Sequence, residues 1–294
     1  MRIVVTGKAG QIAQSLIERA PSHGATVIAI GRPEFDLADA NPAVIETLLS
    51  AAQPDVIISA AAYTAVDKAE SEPAIAHAVN ARGPQILCQA AADMGIPVLH
   101  ISTDYVFDGS KPDAWTEEDT PAPRTAYGAS KLAGETAVLA ASRENIIVRV
   151  GWVYSPFSAN FAKTILRLAG ERDRLRIVAD QIGGPTSALD IADGILTMAR
   201  NIHAAPTRSS LRGLFHMAPP DTGTWADFAE AICDWLRANG KRDVAVDRIT
   251  TADYPTPARR PANSRLNCNR LAAIHEVRLP SWRASLPIVL QRLS

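Results

Sequence analysis

Short apolar runs and longer amphipathic stretches alternate through the first half of the chain. RIVVT at 2–6 is β-branched, nearly unbroken in its apolar residues and followed by glycines, the pattern of a strand buried on both faces. Behind it, 11–20 carries Ile12, Leu16, Ile17 and Ala20 at helical spacing. TVIAI at 26–30, DVIIS at 55–59, PVLHIS at 97–102 and NIIVRV at 145–150 repeat the strand pattern. Between them the pattern predicts a helix from Asn41-Pro42 through Leu49, with proline where its missing N–H costs nothing. A long alanine-rich helix is predicted over 73–94 and another over 130–141. Each parallel crossover needs a helix to return, so the alternation predicts the α/β class: a Rossmann-type doubly wound parallel sheet. Past residue 150 the alternation loosens into helical stretches at 160–168, 188–201 and 225–238, with prolines gathered at 219–220, 255–261 and 280–287. This predicts a dinucleotide-binding domain over 1–150 and a smaller, mostly α+β substrate-binding domain over 151–294. The chain is expected to return to the first domain around 186–208.

Doubly wound sheets bind ligands beyond the carboxyl ends of their strands. The first strand ends in Thr6-Gly7-Lys8-Ala9-Gly10-Gln11-Ile12-Ala13. Gly7 suits the tight turn, and Gly10 lets backbone approach a pyrophosphate at the helix N-terminus, where free N–H groups and the dipole favour an anion. Ala13 stands where a third glycine is usual and still allows close packing. The second strand ends in Gly31-Arg32 without a carboxylate for the ribose 2′-OH, and Glu34 and Asp36 follow. Arg32 is expected either to clamp a 2′-phosphate, favouring NADPH with NADH tolerated, or to be a solvated surface residue.

Ser102-Thr103-Asp104-Tyr105-Val106-Phe107 follows the fourth strand, and Tyr127 and Lys131 stand four residues apart further on. Positions four apart share a helix face. A free phenol with a pKa near 10 transfers protons poorly at neutral pH, and a fixed ammonium beside it favours the phenolate.

In this order, these residues resemble an extended short-chain dehydrogenase/reductase, and within that superfamily the dTDP-4-dehydrorhamnose reductase family. The likeness extends to 60–70 (AAAYTAVDKAE), Gly151-Trp152-Val153-Tyr154, Asn160-Phe161-Ala162-Lys163, 180–186 (DQIGGPT) and 260–266 (RPANSRL). It implies that an NAD(P)H-dependent oxidoreductase reduces the C4 ketone of dTDP-4-dehydro-β-L-rhamnose to dTDP-L-rhamnose, the last step of dTDP-rhamnose biosynthesis. Tyr127 would be the proton donor, Lys131 would hold the nicotinamide ribose, and Thr103 would bond the carbonyl oxygen. Gly10, Gln11 and Ile12 would cradle the pyrophosphate. Asp36 and Leu37 would flank the adenosine, and Ala62, Tyr63 and Thr64 the middle of the cofactor. Asp104 and Trp152 would contact the sugar nucleotide. Asn160, Lys163, Arg260 and Arg265 are candidates for its diphosphate, with a structural ion pair as the other reading of the two arginines. Dehydratases of the superfamily carry Glu where this chain has Tyr105, so dehydration or epimerisation is the weaker alternative. Another is a partner-binding role like that of the regulatory β subunit of methionine adenosyltransferase.

Composition narrows the remainder. A net charge of −1 gives no global field for nucleic acid or membrane lipid. No apolar run approaches the roughly 18 residues of a membrane span. Cys88, Cys233 and Cys268 show neither metal spacing nor a disulfide framework, which suggests small core residues in a reducing, cytoplasmic compartment. His100, on an apolar strand, reads as a satisfied core histidine. Some relatives use Mg²⁺ at a dimer contact through C-terminal glutamates. Only Glu276 is available here, so no metal set is expected, and oligomeric state, homodimer included, stays open.

Overall fold

A computed structural model describes residues 1–293 and joins the apolar runs into one parallel sheet. Five of its six strands are β1 (Arg2–Thr6), β2 (Thr26–Ile30), β3 (Val56–Ser59), β4 (Val98–Thr103) and β5 (Ile146–Val150). They lie in the order β5-β4-β3-β1-β2, all parallel. The order reverses at β1: the chain first moves outward to β2, then returns so that β3 lies on the other side of β1 (Ile3↔Val56, Val5↔Ile58). That is the topological switch point, where the carboxyl ends of two strands open a crevice.

Period-two alternation gives each strand two apolar faces. Ile3 and Val5 pack with Leu16 of α1 (Gln11–Arg19) and with Ile191 and Ile195 of the Ala188–Ala204 helix. Val4, Ile57 and Ile147 face the other layer, against Ile45, Leu49, Leu87 and Val138. The chain therefore returns to the sheet after β5, through the Ala188–Ala204 helix and through an edge strand, Gly213–His216, parallel to β5. The sequence pattern missed that strand. It is four residues long and enters through Gly213 at φ +99°, so no strand-length apolar run marks it.

Two helix predictions need correction. The stretch 73–93 is not one regular α-helix: Pro73–His77 and Gly83–Asp93 flank a π turn at Ala78–Arg82, which brings Asn80 into the interior. The helix predicted from 130 begins at Ala126, because the Thr125 hydroxyl accepts from the Gly128 N–H (2.9 Å) and caps it.

Past Val150 a second apolar cluster forms around Tyr154, Phe228 and Trp282. It is built from the helices Phe161–Glu171, Trp225–Ala238 and Trp282–Gln291, beside a parallel pair, Arg174–Val178 with Ala245–Ile249. Gln11, at the start of α1, reaches across to this part: its side chain donates to Val153 O (3.3 Å) and accepts from the Ser155 hydroxyl (2.8 Å). No helix among the described residues is long and apolar enough to cross a membrane.

Candidate active site

The end of β4 and the first turns of the Ala126–Ala141 helix meet just beyond the sheet. Starting that helix at Ala126 puts Tyr127 in its first turn and Lys131 one turn later, both buried. The Tyr127 ring meets Tyr105 edge-on, with centroids 5.7 Å apart. Burial pushes the Tyr127 phenol up to about 12, the Thr103 hydroxyl partly offsets this, and the charge of Asp104 adds to it. A phenol in that state keeps its proton at neutral pH and is a donor, not a base.

Lys131 points down to β4. Its Nζ donates to Ile101 O (2.7 Å) and to His100 Nε2 (3.1 Å), and burial lowers it to about 8 while Glu135 opposes the shift. Glu135 is itself held by a bidentate, buried pair with Arg149 of β5 (2.8 and 2.7 Å). The Thr103 hydroxyl donates to Asp104 Oδ1 (2.9 Å) and accepts from Tyr105 N (3.2 Å). Asp104 is buried, and its Oδ2 lacks a partner of good geometry among the described residues. Burial raises its carboxyl to about 6 against the pull of the Thr103 and Ser264 hydroxyls. Room for that carboxylate comes from Gly151, where a Cβ would lie 2.6 Å from Oδ2.

At the switch point, Gly7 turns at φ +94°, a conformation open to glycine, and Gly10 stands at the start of α1. No side chain caps α1, which leaves its first N–H groups, those of Gln11 and Ile12 among them, without an intrahelical acceptor, and a Cβ at Gly10 would meet nothing within 4 Å. Those features fit an anionic dinucleotide. Arg32 is exposed and makes no ion pair or hydrogen bond among the described residues. Beside it, Lys8 of the glycine turn is paired with Glu34. Asp36 accepts from Ala38 N (2.9 Å) and starts a short turn whose Leu37 side chain is buried in the core, leaving Leu37 only its backbone for a ligand. Ala62, Tyr63 and Thr64 form the loop after β3. Asn80 grips that loop: Oδ1 accepts from Tyr63 N (2.8 Å), and Nδ2 donates to Tyr63 O (3.0 Å) and the Ser130 hydroxyl (2.9 Å).

The opposite wall comes from the second half. Trp152, in the left-handed region at φ +48°, donates from its indole to the Ser264 hydroxyl (3.0 Å) and stacks on Trp225 with centroids 3.5 Å apart. Arg260 makes a bidentate pair with Asp67 (3.0 and 2.7 Å) and also donates to Thr256. Arg265 is bonded to Asn263 Oδ1 (2.9 Å) and to Pro112 O. Asn160 caps the Phe161–Glu171 helix, and its amide donates to Ser155 O (2.9 Å) and Phe157 O (3.2 Å). These three side chains have protein partners; for Arg260 the partner makes the structural ion pair that the sequence left open beside a phosphate contact, although Asp67 itself was not legible as that partner. Trp225, Asn80 and the Glu135–Arg149 pair were also missed. Asn80 had one faint signal, Gly83-Pro84 interrupting an otherwise regular alanine-rich stretch. No cluster of three or more metal-ligating side chains forms among the described residues. Burial pushes the Cys88 and Cys268 thiols up to about 12 and that of Cys233 to about 11, which leaves them protonated.

Comparison with known proteins adds a family. The family described as "RmlD substrate binding domain" matches residues 1–294. A dTDP-4-dehydrorhamnose reductase of Sinorhizobium fredii is 49% identical over 285 residues, covering 97% of this chain and 95% of that protein. The solved dTDP-4-dehydrorhamnose reductase of Bacillus anthracis, in complex with NADP, superimposes with a TM-score of 0.89 at 33% identity, covering 99% and 98% of the two chains. A dTDP-glucose 4,6-dehydratase of Streptomyces venezuelae with NAD bound reaches a TM-score of 0.82 at 19% identity, covering 99% of this chain and 96% of that one, a likeness of fold alone.

Proposed function

This chain belongs to the dTDP-4-dehydrorhamnose reductase family, and from that premise we infer that it reduces the C4 ketone of dTDP-4-dehydro-β-L-rhamnose to dTDP-L-rhamnose. It is an NAD(P)H-dependent oxidoreductase on an extended short-chain dehydrogenase/reductase fold. The observation that carries the mechanism is the buried, neutral Tyr127 phenol beside the Thr103 hydroxyl, with the Lys131 ammonium one helical turn away.

When bound in the switch-point crevice, NADPH or NADH would supply the hydride that C4 of the sugar receives. The uncapped amides of Gln11 and Ile12 hold the pyrophosphate, and the Asn80-braced loop 62–64 lines the middle of the cofactor. Arg32, an exposed cation with no protein partner among the described residues, takes a 2′-phosphate and favours NADPH. Asp36 and the Leu37 backbone flank the adenosine. On the reacting side, Thr103 orients the ketone oxygen and Tyr127 gives it a proton as C4 becomes tetrahedral. Lys131 steadies the charge left on the phenol and holds the ribose. Asp104 stands behind Thr103, its carboxylate holding the Thr103 hydroxyl toward the sugar, and Trp152 walls the sugar. Arg260 and Arg265 can take the diphosphate only by loosening the protein contacts they now make, so we assign them first to holding the C-terminal segment and second to the anion. Residues 1–150, with the returning 186–208 stretch, form the dinucleotide-binding part, and most of 151–294 binds the sugar nucleotide. We place the enzyme in the cytoplasm.

Dehydration is disfavoured by Tyr105. Burial raises its phenol well above the usual range, so it cannot serve as the base that elimination requires. The test is loss of NADPH absorbance with dTDP-4-dehydro-β-L-rhamnose against other 4-keto sugar nucleotides. Turnover of the first and not the others supports this reading. Binding without turnover would favour a partner-binding role.

A further inference from the structure

We propose that His100 is a positioning residue for this reaction: its neutral imidazole fixes the Lys131 ammonium and keeps it charged. The inference rests on the role given to Lys131 above. An ammonium carries donors only, so His100 Nε2, 3.1 Å from Nζ, must be the acceptor. The ring proton is then on Nδ1, which donates to the Ser59 hydroxyl at 2.9 Å. Ser59 and His100 are direct partners in the parallel register of β3 and β4, and both are fully buried, so the sheet itself selects the tautomer. Ile101 O takes a second ammonium proton at 2.7 Å. The third has no acceptor among the described residues and is left for a ligand hydroxyl above β4.

Among the described residues, the other groups facing Lys131 give it no second side-chain acceptor. Glu135, on the same helix, favours the ammonium through its charge, but its oxygens are engaged by Arg149 of β5, behind which lies His216 of the edge strand. Tyr127, one turn earlier, is a neutral phenol. Burial, and then the charge of Lys131, push His100 well below its ordinary value, so it accepts without competing for the positive charge. The hydrogen bond to Nε2 favours the charged form of an ammonium that burial has lowered to about 8, so losing the acceptor moves Lys131 further toward its neutral form.

The experiment compares His100→Leu, His100→Gln and Lys131→Met with wild type. It reads the pH profile of kcat/KM and NADPH binding by fluorescence titration of the free enzyme. In His100→Leu the alkaline limb moves acidward by about one pH unit, and NADPH binding at pH 8 weakens by up to about tenfold. His100→Gln restores both, because its carbonyl accepts from Lys131 while its NH₂ donates to Ser59. A wild-type limb and wild-type binding in His100→Leu overturn the inference, as does equal damage in His100→Gln. Should His100→Leu not fold, Ser59→Ala releases the tautomer and shifts the limb the same way by less; an unmoved limb overturns the inference. Lys131→Met separates the two levels. Wild-type binding and rate in that variant remove the role of Lys131 itself, whereas their loss beside an unmoved His100→Leu limb removes only that of His100.

Discussion

The two ends of the cofactor crevice use the same kinds of side chain to opposite effect. At the reacting end, Thr103, Asp104, Lys131, Glu135 and Arg149 are buried, and most of their hydrogen bonds run to one another, to His100 and to strand backbone. At the adenosine end, Arg32 is free in solvent and the Lys8–Glu34 pair is exposed on both sides. Burial raises the stakes of every polar contact, since a group left without its partner cannot turn to water. In solvent the same contact is screened and replaceable. The reacting end is therefore rigid and intolerant of change, and the adenosine end is tunable.

Tyr127→Phe is the sharpest way to break that contrast. It keeps the ring against Tyr105 and removes only the proton, so kcat falls by about 10²–10⁴-fold while NADPH affinity holds. Steady-state kinetics beside a binding titration check it, and a near-normal kcat would end the assignment. Arg149→Met comes next, because it strands the Glu135 carboxylate in the core. Chemical denaturation should show a loss of about 3–5 kcal/mol, the scale for removing one partner of a buried pair.

Asp104→Asn tests the carboxyl that burial raises from 3.8 to about 6. Between those values the folded state binds the proton that the unfolded state has released, so wild type loses stability as pH rises through that window. The asparagine variant lacks this slope. Its stability relative to wild type should grow by up to about 3 kcal/mol from pH 4 to pH 7, read from denaturation midpoints. A constant difference across that range contradicts the burial argument.

Smaller effects belong at the exposed end. Arg32→Ala should weaken NADPH binding by about tenfold and NADH binding hardly at all, from the loss of one charge-assisted contact in solvent. Equal weakening makes Arg32 a surface residue. Smallest of all, Glu34→Gln should leave the melting temperature unchanged within error, as surface pairs commonly do. A clear loss would mean that the two ends differ less than their burial suggests.

The frame of the fold was legible because its signals are local. A β-branched run buried on both faces reads as a strand wherever it is placed, and glycine after β1 announces the turn through a conformation that side chains avoid. Tyr127 and Lys131 announce their pairing through helical spacing alone. The pairing has a different consequence from the one the spacing suggests: Lys131 is anchored to His100 and Ile101 across the sheet, a contact no periodicity encodes. The π turn that turns Asn80 inward gave at most a faint mark. Trp152 was visible as a motif residue, whereas its stacking partner Trp225 arrives from a helix about seventy residues later in the chain.

By itself, then, the sequence determined five of the six sheet strands, the rough placing of the helices between them, the glycine turn and the residue types of the reacting end, all set by interactions within one or two turns of chain. Only the tertiary structure decided which of those residues are buried together. It alone assigned Arg260 and Arg265 protein partners, left Arg32 without one, and gave Lys131 a neutral imidazole to lean on. The physical reason is that charge, protonation and hydrogen-bond strength depend on how far water is excluded. That exclusion is created by segments as far apart as Ser59, His100 and Arg149, which meet only when the sheet closes.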